Sequence, residues 1–457
     1  MSRFVTVDRN TAYLLPPSLN DWLKEDHLAR FIVEVVDQLD ISNITRKYAG
    51  RGSAAHHPST LLALLVYGYA SGIIVSRKIE RATYDSVAFR FIAAGTHPDH
   101  DTLATFRRRF LGELQTLFLQ VLELAKEMKL LKLGTVCLDG TKIHANASRH
   151  SALSHGHIEK LEVQLKAEVA ELFALAESAD RSNVPDDANL PDEIKRREDR
   201  LAVMAQAKVK IAARAAERYA AEKVRYEQKM AARAAKQEQT GKKPGGKLPQ
   251  APQPGPKATD QINLTDEESR IMPVSGGGFE QAYNAQAAVD ATTMLVVATG
   301  VTQAPNDKQQ IAPMLGTLAA QPQTHQQVEH LIADTGFFSE KNLQACEAAQ
   351  ITALIAVARD EHHPDWRERH SEPAVLPDNA TPAQTMLHRL QTKAGRALYA
   401  LRKQTVEPVF GIIKSVLGFR QFSMRGLDKV RGEWSLVCMA WNLKRMAVLR
   451  QKSVQCV

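Results

Sequence analysis

Residues 133–148, LGTVCLDGTKIHANAS, carry an acid, Asp139, at the end of a short apolar run of Val136, Cys137 and Leu138. Such a run reads as a buried strand whose last residue emerges at the carboxyl edge of a sheet. A second stretch of the same design, VEHLIADTGFFSEKN at 328–342, does this for Asp334. A third, RKQTVEPVFGIIK at 402–414, places Glu407 on a helical pattern. Hard divalent cations prefer oxygen ligands, and two ions held by shared carboxylates activate an attacking oxygen and stabilise the leaving oxygen of a phosphodiester. Carboxylates at two strand ends and on a facing helix supply that geometry. By position alone, most acids so placed are caps or surface charges.

Between the first two acids, GFEQAYNAQAAVDATTMLVVATGVTQ (278–303) reads as two strands joined by a turn at Asp290. A helix over NDKQQIAPMLGTLAAQ follows, capped by Asn306 or Asp307. Then come the strand ending at Asp334, a helix capped by Ser339, and a strand over ITALIAV (351–357). Asp290 and Asp307 take structural roles in this reading, in a turn and at a helix start. Asn284 and Gln286 share one side of their strand, either as hydrogen-bond donors behind the site or as outward polar residues. Alternation sets Lys142 and His144 apart from Asp139, with His144 read as structural. Pro408 suggests that a helix starts or breaks beside Glu407, because proline lacks an amide donor.

In order along the chain, LDGTKIHANAS, TDEESRIM, GFEQAYNAQAAVD, LIADTGF and YALRKQTVEPVFGIIKSVLGFRQFSMRGLDKVRGEWSLVCMAWNL resemble the DDE-type transposases of bacterial insertion sequences. The resemblance covers nearly the whole chain. It implies an α/β, ribonuclease H-like catalytic core in which Asp139 closes the first strand, Asp334 the fourth, and Glu407 sits on a C-terminal helix. It implies two Mg²⁺ ions, replaceable by Mn²⁺, held by these three acids. The activity it implies is hydrolysis at the ends of a mobile element and attack of the freed 3′-hydroxyl on target DNA. A Tyr, Arg, Glu and Lys signature corresponds to Tyr399, Arg402, Glu407 and Lys414. Four residues separate Arg402 from Glu407 here, one more than in the usual form, so either Arg402 or Lys403 fills the Arg position. Tyr399, Arg402, Lys403 and Lys414 are the residues expected to meet DNA. The family usually has His where Trp441 stands.

Residues 1–130 read as a helical domain expected to bind DNA ends, with Arg107 and Arg108 as phosphate contacts. LATFRRRFLGELQTLFLQVLELAKEMKLL reads as one long amphipathic helix, and Leu61, Leu62, Leu64, Leu65 and Tyr69 fall on one face of another. His97, His100 and Asp101 read as a turn, with Asp101 or Thr102 as helix cap. The catalytic domain spans 131–457. Residues 155–262 interrupt it with two Ala-, Glu- and Lys-rich helices, read as a hairpin, and a flexible Lys-, Gly- and Pro-rich stretch. From 205 to 258, thirteen Lys and Arg face four Glu, which accounts for the whole positive excess of a chain whose net charge is +8. This arm reads as a backbone-binding element, a coiled-coil partner or a solvated spacer.

The 44% hydrophobic content suffices for a core, and no apolar run of about 18 residues argues for a membrane span. The N-terminus lacks a signal layout, so cytoplasmic residence at the nucleoid is expected. Cys137, Cys346, Cys438 and Cys456 are too dispersed for a zinc site or a disulfide framework. Double-stranded DNA and a second copy of the chain are the expected partners. Two other readings keep part of this picture: a metal-dependent nuclease that does not join, and an inactive DNA-binding derivative.

Overall fold

Strand β1 (Thr135–His144) is the axis of the architecture, because its Val136, Cys137, Leu138 and Ile143 are completely buried. The structure, a computed structural model, describes residues 18–48, 55–179, 190–243, 245–274, 276–320, 328–358, 371–377 and 379–455. The turns at Pro16-Pro17 and Gly50–Ser53, most of the 181–192 break, the acids and histidines from Asp360 to Asp365, and Cys456 lie outside these residues. The chain divides into two compact units, Met1–Asn146 with Ile271–Val457, and Ala147–Arg270.

Ahead of β1 the first unit is helical: α1 (Leu19–Trp22), α2 (Leu28–Gln38), α3 (Ser42–Thr45), α4 (Pro58–Ser71), α5 (Ser76–Asp85), α6 (Val87–Ile92), α7 (His100–Arg109) and α8 (Leu111–Glu127). Helix α4 starts with Pro58 in its first turn, where a missing N–H costs nothing, and closes on Gly72 in the left-handed conformation. Its burial is not confined to one face. Every residue from Leu61 to Ala70 is buried, so α4 is the central helix of this region. The single long helix expected after Leu103 is two, because the chain breaks at Phe110, whose ring is fully buried. The cap of α7 is Asp99, whose side chain accepts from Thr102 N at 2.8 Å, not Asp101 or Thr102.

After the second unit the chain contributes β4 (Arg270–Pro273), β5 (Phe279–Asp290), β6 (Val296–Thr302), α11 (Ile311–Ala319), β7 (His330–Ala333), α12 (Glu340–Ala348), β8 (Thr352–Ile355), α13 (Pro382–Gln391), α14 (Lys393–Gly411) and α15 (Leu427–Gln455). The sheet runs β4-β5-β1-β7-β8, with β6 also paired to β5. Antiparallel pairing joins β1 to β5 and β5 to β6, whereas β7 and β8 lie parallel to β1 and to each other. The Asp290 carboxylate closes the expected β5–β6 turn by accepting from Thr292 N at 2.7 Å and Thr293 N at 3.2 Å. Ser339 caps α12 as expected.

Helix α15 fastens the sheet to the helical region. Trp434 Nε1 donates to Gln286 O at 2.9 Å, and Asn442 exchanges 2.8 Å bonds with both backbone groups of Val296. Trp441 donates to Met294 O at 2.9 Å, a structural role. Burying side chains such as Trp434 contributes about 1.5–3 kcal/mol each.

The second unit holds β2 (Ala152–Ser154), α9 (His155–Ala179), α10 (Leu190–Thr240) and β3 (Gln261–Asn263). Strands β2 and β3 form a ribbon beneath the two helices, around a core of Ile158, Leu165, Met204, Ala207, Ile211 and Ile262. Part of the basic excess is neutralised internally: Lys208 meets Glu162 at 2.8 Å, Arg218 meets Asp260 at 2.6 Å, and Lys210 pairs with Glu267.

Candidate active site

The site is built where β7 stops short of β1. Their parallel register pairs Thr135 with His330 and Cys137 with Ile332, and carried two steps further it sets Asp139 beside Asp334. Strand β7 ends at Ala333 while β1 runs on to His144, so Asp139 lies within its strand, not at its end, and β7 no longer pairs with β1 there. Asp334 turns into a short 3-10 segment and accepts from Gly336 N at 2.8 Å.

Helix α14 packs across β1 and β7 and delivers Glu407. The helix is continuous through Pro408 and ends in a π-helical turn, Ile412–Val416, so the break expected at Pro408 does not occur there. Of the two candidates for the Arg position, Arg402 is the one that reaches the acids, since its guanidinium meets Asp139 Oδ2 at 3.2 Å and Glu407 Oε1 at 2.9 Å. Lys403 is exposed on the helix. Glu407 thus reaches Asp139 through Arg402, on a side chain about half exposed (46%).

Burial and the neighbouring Asp334 push Asp139 up to about 7, against the pull of Arg402 and the Gly140 N–H, with Asp307 adding to the rise. Burial opposes the charge on Arg402, but Asp139, Tyr399, Glu407 and Asp334 outweigh it and hold the guanidinium above its ordinary range. Lys142 is lowered by burial, against the attraction of Asp307, Asp139 and Asp334. Lys414, in the π turn, is lowered by burial and by Arg420 and Lys142, with Asp139 opposing. Two half-buried lysines therefore stand near the acid cluster.

Asp307 belongs to this cluster and does not cap α11. The helix begins at Ile311 after Gln310, which makes no side-chain cap bond. Asp307 Oδ1 instead accepts from Asn284 Nδ2 at 2.7 Å and Gln286 Nε2 at 2.6 Å, and Lys142 Nζ lies 3.9 Å from Oδ2. Asn284 and Gln286 are buried, not outward. The sequence signal lay in these two amides, which interrupt a strand of Ala and Val on a single side and must find a polar partner when buried. Gly140 makes room for the arrangement, since a β-carbon there would overlap Gln286 Nε2 and the Asp307 carboxylate.

Other expected DNA contacts lie elsewhere. Arg107 is buried and donates to Tyr69 Oη at 2.8 Å, so it braces the helical region instead of facing phosphate; Arg108 at the same helix end is exposed. Tyr399 lies on α14, half-buried, close enough to act on Arg402. Lys444 and Arg445 donate to Ala70 O and Thr293 O at 2.8 and 2.7 Å, holding α15 in place.

The donor set suits hard divalent cations in kind, because it consists of carboxylate oxygens, and in charge, because burial leaves Asp139 short of compensation. Among the described residues no three acidic, His or Cys side chains are yet gathered around one point, and Arg402 fills the space between Asp139 and Glu407.

Two family models match the chain in sequence order: a transposase domain of the DUF772 type over residues 17–109 and the transposase DDE domain over 253–443. Together they span more than half of the 457 residues. The chain belongs to the DDE transposases of insertion sequences. This transposase therefore acts on DNA as a polynucleotidyl transferase or nuclease, and its family generally uses divalent metal ions. No curated protein and no solved structure matches it at a significant level. Among the described residues no single helix is long and apolar enough to cross a membrane.

Proposed function

We propose that this transposase cuts the ends of its element by metal-dependent hydrolysis and joins the freed 3′-hydroxyl to target DNA, through Asp139, Asp334 and Glu407. The observation that supports this most is that Asp139 on β1 and Asp334, just past the end of the parallel strand β7, come together, with Glu407 tied to Asp139 by Arg402. A ribonuclease H-like core fits the order of three strands, helix, strand, helix, strand and late helix.

Asp139, Asp334 and Glu407 would hold two Mg²⁺ ions, with Mn²⁺ as a substitute, and such ions activate the attacking oxygen and stabilise the leaving oxygen. Before that, Arg402 holds the two outer acids together and offsets their charge. Were cations held by these acids, the Arg402 guanidinium would be available to meet the DNA backbone beside Tyr399. Lys414 and Lys142, poorly solvated and next to the acids, attract the incoming phosphate to the reaction point. Arg108 and Lys403 add backbone contacts on exposed surfaces. Synapsis of two ends calls for a homodimer on DNA.

The test is a labelled duplex bearing the element's terminus, incubated with Mg²⁺ or Mn²⁺ and with Asp139→Asn, Asp334→Asn or Glu407→Gln in parallel. Each substitution is expected to abolish nicking and joined product while end binding survives. Nicks without joined product would leave a nuclease. Equal binding with no cleavage by wild type would leave a DNA-binding derivative.

A further inference from the structure

Asp307 has no part in the reaction just described, yet two of the most deeply buried polar side chains in the sheet donate to it, Asn284 Nδ2 also reaching Ala304 O at 3.2 Å. Asn284 and Gln286, 0% and 1% exposed, both donate to its Oδ1. Their own amide oxygens, Asn284 Oδ1 and Gln286 Oε1, have no hydrogen-bond partner among the described residues. Asn284 Oδ1 looks onto the space that Asp307 enters, 2.9 Å from where a β-carbon of Gly140 would stand. Leaving such oxygens unpaired in a core is unfavourable, and an apolar pair would fill the strand at lower cost. A cap does not explain the arrangement, since α11 makes no side-chain cap bond. Pairing with Lys142 explains little more, at 3.9 Å.

What the amides accomplish is directional. Two neutral donors fix one carboxylate oxygen and leave the charge intact, so Oδ2 is presented in a set direction. That oxygen lies 3.8 Å from the position a β-carbon of Gly336 would take, and Asp334 Oδ1 lies 3.0 Å from the same point, so the two acids flank Gly336. Fixing a ligand by hydrogen bonds to its far oxygen is how outer residues commonly orient a metal-binding carboxylate.

We propose that Asp307 is a fourth acidic ligand of this centre, its Oδ2 joining Asp334 in holding a divalent cation, with Asn284 and Gln286 as positioning residues. This rests on the assignment of Asp139 and Asp334 to the cation site.

The test is a Mn²⁺ titration of the full chain without DNA, read by loss of the free-ion electron paramagnetic resonance signal, on wild type, Asp307→Asn, Asp139→Asn and Gly140→Ala. Asp307→Asn is expected to weaken Mn²⁺ binding at least about tenfold, the scale on which the supporting shell of a metal site acts. Its metal-free thermal unfolding should match wild type. If Asp307→Asn binds Mn²⁺ like wild type while Asp139→Asn does not, Asp307 is no ligand and the three-acid assignment stands. If neither differs from wild type, that assignment falls and Asp307 falls with it. Should Asp307→Asn not fold, Gly140→Ala decides: it keeps every carboxylate but displaces Asp307, and wild-type affinity there overturns the proposal.

Discussion

On the role proposed for Asp139, a single proton would connect folding to metal binding. In the folded chain burial and Asp334 raise this carboxyl from 3.8 to about 7, so between those values the native state holds a proton that the unfolded chain has released. Stability of the metal-free protein is therefore greatest below the unfolded value, falls as pH rises through the window, and levels off above about 7. A displacement of that size corresponds to roughly 4 kcal/mol. A bound cation favours the carboxylate, so stabilisation by Mg²⁺ should grow over the same window. In chelator, the thermal midpoint of wild type is expected to decline from about pH 5 to 7.5, and that of Asp139→Asn to decline less steeply. Asp290, also raised by burial, contributes equally to both curves. Coincident curves would show that the uncompensated charge is not on Asp139.

Among the elements, α4 and α15 are joined by a buried polar network. Tyr69 Oη receives from Arg107 Nη1 at 2.8 Å and donates to Glu433 Oε1 at 3.0 Å, while Glu433 Oε2 accepts from Ser423 N and Met424 N, each at 3.0 Å. Glu433→Ala should cost at least about 3 kcal/mol in denaturant unfolding, since it strands several buried donors, and Tyr69→Phe about 1. A cost below about 1 kcal/mol for Glu433→Ala would mean the network relaxes around the loss. This network also marks where sequence reading stops. The strands and helices of the sheet region are legible because Val, Ile and Leu runs are punctuated by capping residues such as Ser339 and by the Asp290 turn. Arg107 passes for a phosphate contact because nothing in a run of three arginines says which one turns inward. Asp307 passes for a cap because Asn-Asp before a helix is the ordinary cap pattern, and its partners lie some twenty residues upstream on another strand. The fate of Pro408 is equally hidden, as tertiary packing against β1 and the relief of a π turn outweigh proline's local preference.

Over the whole molecule, the charge is distributed unevenly in a way that bears on DNA. The net +8 is concentrated between 205 and 258, and near the start of that stretch Lys208, Lys210 and Arg218 are taken up by Glu162, Glu267 and Asp260. Glu162 is held down at about 2 by Lys166 and Lys208, so the Lys208 pair persists through any working pH. Exposed cations remain further along α10, at Lys223, Arg225 and Lys229. Exposed cations over about two helical turns suit a DNA backbone, and contacts to phosphate carry no sequence information. Replacing Lys223, Arg225 and Lys229 together by Ala should therefore weaken binding to terminal and unrelated duplexes alike. The slope of log K against log salt should become shallower by about 0.9 for each phosphate that is no longer neutralised, up to about 3 in all. Cleavage chemistry on DNA already bound should be unchanged, because the acids proposed to react, Asp139, Asp334 and Glu407, belong to the other unit. An unchanged slope would make the arm a spacer or a partner-binding helix. A loss confined to the element's own terminus would make it a sequence reader, with Arg or Lys contacting base edges instead of phosphate.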